Sequence, residues 1–162
     1  MAKYTFFVVV ETPKGSTQKY DYDEKYRYFT LKKILPAGMM FPFDFGFIPD
    51  TKGQDGDPLD AFVLSTFRTF PGCMVKCRLL GAIKAEQREK DGKTVRNDRY
   101  IMAPIVSGGD KASFDAEHFL PNMLKELEAF FINYNKQEGK EFRPLGFMDS
   151  KEASKQIKKF RR

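Results

Sequence analysis

Tryptophan is absent from these 162 residues, histidine occurs once, at His118, and cysteine twice, at Cys73 and Cys77. Each scarcity removes a class of chemistry. A zinc centre needs thiolate and imidazole ligands at finger or catalytic spacing, which two cysteines and one histidine do not supply. A Ser/His/Asp triad would hang on His118 alone, and no G-x-S-x-G turn seats a nucleophile; His118 reads instead as a surface or helix-start residue. Cys73 and Cys77 lie four apart on one extended stretch and are badly disposed to bridge each other, so a reducing compartment is expected. No apolar run is long enough to span a bilayer. The start, Met1-Ala2-Lys3 and then an apolar run ending at Glu11, shows no small-residue cleavage site, and a soluble cytoplasmic protein without a membrane partner is expected.

Two further signatures fail on spacing. Counted from Asp55, an EF-hand would need Gly and Glu where Asp60 and Thr66 stand. Gly92-Lys93-Thr94 imitates the end of a P-loop, but Gln87 occupies the position of its first glycine.

What is present is phenylalanine, 17 of it, and a net charge of +6. The charge favours an anionic partner, with phosphates as compatible as nucleic acid. The length suits one domain over 1–162. Tyr4 to Val10 reads as a strand ending in a turn, and Gln18 to Asp23 with Tyr26 to Leu31 as a hairpin. Lys33 closes its second strand. Met39 to Pro49, aromatic and broken by prolines and Gly46, reads as an irregular extended segment. Met74 to Ala85 splits by parity into an apolar and a wet face. A charged loop from Glu86 to Asp98 follows, then a returning strand from Arg99 to Ile105 and a loop at Ser107-Gly108-Gly109-Asp110. Leu120, Leu124, Leu127, Phe131 and Tyr134 mark an amphipathic helix with Pro121 in its first turn. Phe142 to Phe147 reads as a short strand, and Ser150 opens a basic helix through Arg162. Strands first and helices last imply α+β, a small barrel with helices packed outside.

The stretch that carries chemistry is Asp55-Gly56-Asp57-Pro58-Leu59-Asp60, three carboxylates in six residues running into the apolar Ala61-Phe62-Val63-Leu64. A solvated acidic turn is the plain alternative. Carboxylates this dense on a turn stiffened by Pro58 call for a cation, and oxygen donors select Mg²⁺ or Mn²⁺. Glu11, Lys19, Asp21 and Lys33 add carboxylates for metal and lysines for phosphoryl oxygens, the inventory of metal-assisted phosphoryl transfer to water. Each of these four could also be an ordinary surface charge.

The acidic turn resembles the signature of the soluble family I inorganic pyrophosphatases. The likeness extends to Glu11-x-Pro13, Lys19-Tyr20-Asp21, Phe41-Pro42-x-Asp44-Phe45-Gly46-Phe47-Ile48, Val75-x-Cys77-Arg78-x-x-Gly81 and Phe130-Phe131-x-x-Tyr134. The resemblance implies a five-stranded OB-like barrel with flanking C-terminal helices, Mg²⁺-dependent hydrolysis of pyrophosphate (Mn²⁺ as the second choice), and a homohexamer. It implies metal binding by Asp55, Asp60 and Glu11, deprotonation of the bridging water by Asp57, and phosphate contacts from Lys19 and Tyr134. Asp21, Lys33, Phe41 and Phe45 stand where the family has Glu, Arg, Tyr and Tyr, and Asn135 where it usually has Lys. In the Glu86–Arg99 loop the family carries two metal-binding aspartates and a lysine. Anchored on the strand toward Ala103-Pro104, Asn97 takes the second aspartate's position and Arg99 the lysine's, with Asp98 a substitute ligand. Anchored on Glu86 and Asp91-Gly92-Lys93, the charges return but an insertion follows. The first is preferred because hairpin tips lengthen more readily than paired strands slip.

Two other hydrolase or binding outcomes stay open: another phosphoanhydride as substrate, and a non-catalytic phosphate or metal binder. A nucleic-acid binder is suggested by the charge and by the Lys155, Lys158, Lys159, Arg161, Arg162 tail. The acidic turn would repel a polyanion, so no nucleic-acid partner is expected.

Overall fold

Alternation along β1 (Thr5–Thr12) turns Phe6, Val8, Val10 and Thr12 inward while Phe7 faces out, the pattern of a strand with one core face. The computed structural model describes residues 4–107 and 116–162, with side chains from 120 onward in the second stretch. β1 pairs antiparallel with β4 (Asp44–Ile48) on one side and β6 (Met74–Arg88) on the other. β4 pairs with β5 (Leu59–Val63), β5 runs parallel to β8 (Arg99–Pro104), and β8 returns antiparallel to β6. The ring β1-β4-β5-β8-β6-β1 is therefore closed. Numbered within the barrel its strands run 1-2-3-5-4-1, the order of an OB barrel. The α+β class and five-stranded OB-like barrel expected from the sequence are what the chain forms.

β5 is buried on both faces. Ala61 and Val63 join one core cluster with Val8, Val10, Val75 and Met102, while Phe62 and Leu64 join a second with Phe41, Phe45, Leu127 and Phe131. The first cluster also takes Ala153 and Ile157 from α2 (Ser150–Lys159); the second lies under α1 (Ala116–Gln137). Each large side chain so buried stabilises by about 1.5–3 kcal/mol. Gly46 lets β4 lie against β1, since a Cβ there would sit 2.0 Å from the Val9 carbonyl oxygen.

Four sequence expectations are corrected. Asp44–Ile48 is a barrel strand, not irregular, because Phe45, Gly46 and Phe47 are each in register with β1 on one side and β5 on the other. The one-wet-face parity of Met74–Ala85 holds only to Leu79. A register shift between Leu79 and Gly81 turns Leu80, Ile83 and Ala85 into the second cluster, and both faces are then covered. At Gly81, φ is +155° and a Cβ would meet the Phe147 ring and the Met148 carbonyl oxygen at 2.3–2.5 Å, so only glycine passes. The charged loop from Glu86 is partly sheet: β6 runs on to Arg88 and pairs with β7 (Thr94–Arg96) around a tight tip. Finally, α1 begins at Ala116, so Pro121 lies inside the helix.

The remaining elements follow the sequence more closely. β2 (Gln18–Asp23) and β3 (Tyr28–Ile34) form a separate hairpin that extends past Lys33. β9 (Glu141–Asp149), longer than expected, pairs with the far half of β6. α2 is capped by Asp149, whose carboxylate accepts from the Glu152 N–H at 2.8 Å, and stops at Lys159 before Arg161 bridges to Thr51. The Gly108–Asp110 part of the expected loop and the side chain of His118 lie outside the described residues. No described helix is long and apolar enough to cross a membrane.

Candidate active site

The acidic turn is held by its own backbone. The Asp57 N–H donates to Asp55 Oδ1 at 3.0 Å, and the Gly53 N–H donates to the Asp57 carbonyl at 2.7 Å. Gly56 takes φ +88°, a conformation L-residues resist. Buried Thr51 accepts from the Leu59 N–H at 3.0 Å, which fixes the entry to β5. Asp60 then falls between Phe47 of β4 and Arg99 of β8. Its carboxylate reaches the Arg99 guanidinium at 2.9 Å.

These residues open on a cleft of about 580 Å³. Glu11 enters it from β1, and its carboxylate accepts the Tyr22 N–H at 2.8 Å, tying the β2–β3 hairpin to the barrel. From β2 come Lys19 and Asp21, paired at 2.8 Å. Phe41 and Phe45 form an aromatic wall of the cleft with Phe131 and Tyr134. Asn97 and Arg99 come from the β7–β8 junction. So Glu11, Lys19, Asp21, Phe41, Phe45, Asp55, Asp57, Asp60, Asn97, Arg99 and Tyr134, scattered over most of the sequence, share one cavity.

Lys33 does not join them. Its ammonium lies 2.5 Å from Glu138 Oε1 and 4.1 Å from the Tyr134 ring centre, facing a neighbouring cleft of about 430 Å³. The substitute ligand, Asp98, is also turned elsewhere: it accepts from the Ala85 N–H at 3.0 Å and from Arg96 Nε at 2.6 Å. Asp91 and Lys93, the other anchoring, stand exposed at the hairpin tip, where Asp91 Oδ1 accepts the Lys93 N–H at 2.9 Å.

Burial sets the electrostatics. It pushes Glu11 up to about 8, against the Tyr22 hydrogen bond, with Asp21 and Asp60 adding to the rise. Asp60 is pushed up to about 6, chiefly by burial and against the pull of Arg99. Asp55 is raised for the same reason. Three acids short of positive charge, all oxygen donors, suit a hard divalent cation. No three acidic, histidine or cysteine side chains among the described residues converge as a ready-made cage, so the ion itself would draw them together. The Tyr134 hydroxyl is buried without a hydrogen-bond partner, as is Arg99 Nε. Burial, with Glu138 and Asp21 nearby, raises the Tyr134 phenol, which stays protonated as a donor.

Residues 8–162 match the family model described as inorganic pyrophosphatase. The chain belongs to the inorganic pyrophosphatase family. An inorganic pyrophosphatase of Thermoplasma volcanium is 38% identical over 157 residues, covering 94% of this chain and 89% of that protein. One of Methanosarcina acetivorans is 36% identical over 140 residues, 86% of this chain and 80% of that protein. Among solved structures, the inorganic pyrophosphatase of Thermus thermophilus superposes with a TM-score of 0.81 at 31% identity, covering 97% of this chain and 89% of that one.

Against the pyrophosphatase pattern, sequence reasoning missed several cleft residues, among them Gln87, Glu89 and Lys140. Gln87 is buried, and its Oε1 lies 3.4 Å from Arg99 Nη2. Its Nε2 donates to Glu89 Oε1 at 2.8 Å, and Glu89 Oε2 pairs with Lys140 at 3.1 Å. Carrying the period of two in β6 past Ala85 would have found Gln87. Gly139, just beyond α1, was the sign of a helix cap placing Lys140.

Proposed function

We propose that the chain hydrolyses inorganic pyrophosphate to two phosphates, as one domain over 1–162, with Mg²⁺ as its resident ion and Mn²⁺ as a substitute. The family is divalent-metal dependent. The observation that carries the proposal is the gathering of Asp55, Asp57, Asp60 and Glu11, on different elements, into the cleft that also receives Lys19, Arg99 and Tyr134. Asp55, Asp60 and Glu11 would hold the metal ions. When bound, the ions neutralise phosphoryl charge and make water a better nucleophile.

Asp57, the exposed acid of the turn, takes the proton from the attacking water. The water oxygen bonds to one phosphorus, the bridging P–O bond breaks, and the second phosphate leaves with that oxygen. Lys19 and Arg99 face the phosphoryl oxygens as cations, and the unpartnered Tyr134 hydroxyl donates to one of them. Arg99 also holds Asp60, linking substrate charge to the metal floor. Asn97 adds a neutral oxygen donor, and Asp21 positions Lys19. Phe41 and Phe45 give the wall shape without polarity; Lys33 acts from behind Tyr134. A homohexamer in a cytoplasmic setting completes the proposal.

Phosphate release from pyrophosphate with Mg²⁺ or Mn²⁺, compared with Asp60→Ala, is the test. Release that needs the metal and Asp60 supports the proposal; no release with any divalent ion ends it, and equal rates in both proteins point to a contaminant.

A further inference from the structure

An anionic substrate needs cations that are free to meet it, and the described residues lining the cleft include three: Lys19, Arg99 and Lys140. Two are engaged with acids of the floor, Lys19 with Asp21 at 2.8 Å and Arg99 with Asp60 at 2.9 Å. Lys33 is diverted to Glu138 and the Tyr134 ring. Lys140 is different. Its partner is Glu89, next to it across the β6–β9 pair just beyond Arg88 and Glu141, and not an acid of the turn.

The backbone explains its position. At the end of α1 the Lys140 N–H donates to the Asn135 carbonyl at 2.9 Å and the Gly139 N–H to the Lys136 carbonyl at 3.1 Å, with Gly139 at φ +73°. This is a Schellman cap, which sets the direction of the residue after the glycine. It places Lys140 on the ridge between the two clefts, both of which it lines. Asn135, at the turn's root, contributes no charge: its side chain is buried and its Nδ2 donates to the Phe131 carbonyl at 2.9 Å. Glu89 meanwhile keeps a second bond, from Gln87 Nε2, so it loses only part of its partners if the lysine leaves.

We infer that Lys140 is a substrate-binding residue: its ammonium exchanges Glu89 for a phosphoryl oxygen of the bound pyrophosphate, and Glu89 is the carboxylate that stores it between turnovers. The inference rests on the pyrophosphate reading and deepens it. A lysine is a point charge on a flexible stem, suited to such a move.

Steady-state kinetics with pyrophosphate and Mg²⁺, together with calorimetry of inorganic phosphate binding to the full chain, test it. Lys140→Gln raises KM and weakens phosphate by about tenfold or more, the scale of one charge-assisted hydrogen bond. Its kcat changes far less, because the contact is made to substrate and transition state alike. Lys140→Arg keeps most of the affinity. Glu89→Gln frees the lysine, so KM stays level or falls. Unchanged KM and phosphate affinity in Lys140→Gln overturn the inference, as does an equal rise of KM in Glu89→Gln, which would make the pair merely structural. If the parent chain released no phosphate at all, that failure would fall on the activity, and phosphate calorimetry would still decide the role of Lys140.

Discussion

The floor of the cleft and its outer wall treat charge in opposite ways. On the floor, Glu11, Asp55 and Asp60 are pushed toward protonation by burial, and the nearby cations do not offset it. On the wall, Glu89 is bonded by Gln87 and Lys140, and Glu138 by Lys33. The rest of that wall is aromatic: Phe41 packs tilted against Phe130 and edge-on to Tyr134 with ring centres 5.1 and 5.8 Å apart. The floor is thus incomplete without cations, while the acids of the wall are already paired.

The largest effect is expected on the floor. Glu11→Gln keeps the acceptor for the Tyr22 N–H but removes the charge, and hydrolysis falls by roughly a hundredfold or more, read as kcat/KM at saturating Mg²⁺. A loss under threefold would mean that Glu11 only braces the hairpin. On the wall, Phe131→Ala removes a ring packed against Phe62 and Phe142 at 5.1 and 5.2 Å. It costs about 3–5 kcal/mol of stability by denaturant unfolding, and also removes the face on which Arg99 rests at 4.7 Å.

Converting wall to floor sharpens the contrast. Gln87→Asp with Asn97→Asp brings two more carboxylates to the cleft, and divalent-metal affinity by calorimetry rises about tenfold. An unchanged affinity would place the metals wholly on the acidic turn side.

A smaller effect follows from protonation in the metal-free protein. Glu11 ordinarily ionises near 4.5 and Asp60 near 3.8, but the folded chain holds them at about 8 and about 6. Between these values the folded state keeps protons that the unfolded chain has released, so stability is fully present at the acidic end and declines as pH rises toward about 8. With chelator present, Tm falls over that range, and added Mg²⁺ cancels the fall. A flat Tm in chelator would contradict the buried, uncompensated floor.

The sequence revealed the floor better than the wall for a physical reason. Asp55, Asp57 and Asp60 are neighbours in the chain, and Gly56 and Pro58 mark the turn that crowds them. The barrel was legible where inward and outward residues alternate, as in Thr5–Thr12. It was obscured at Asp44–Ile48, where burial on both sides erases alternation, and at Leu80, where a register shift reverses it. The wall is made of long-range partners: Lys33 meets Glu138 from 105 residues away, and no local pattern announces such a pair. Lys33, read as a phosphate contact, lies behind Tyr134, and Asp98 turns to the backbone of Ala85. Both differences come from side-chain direction, which spacing alone does not carry.

The most direct measurement is phosphate release from pyrophosphate across a Mg²⁺ concentration series, in the parent chain and in Asp60→Asn. The expected result is no release without divalent metal, a saturating rise with Mg²⁺ in the parent, and a loss in Asp60→Asn of roughly a hundredfold or more. Release that ignores Mg²⁺, or a variant as active as the parent, would contradict the metal floor.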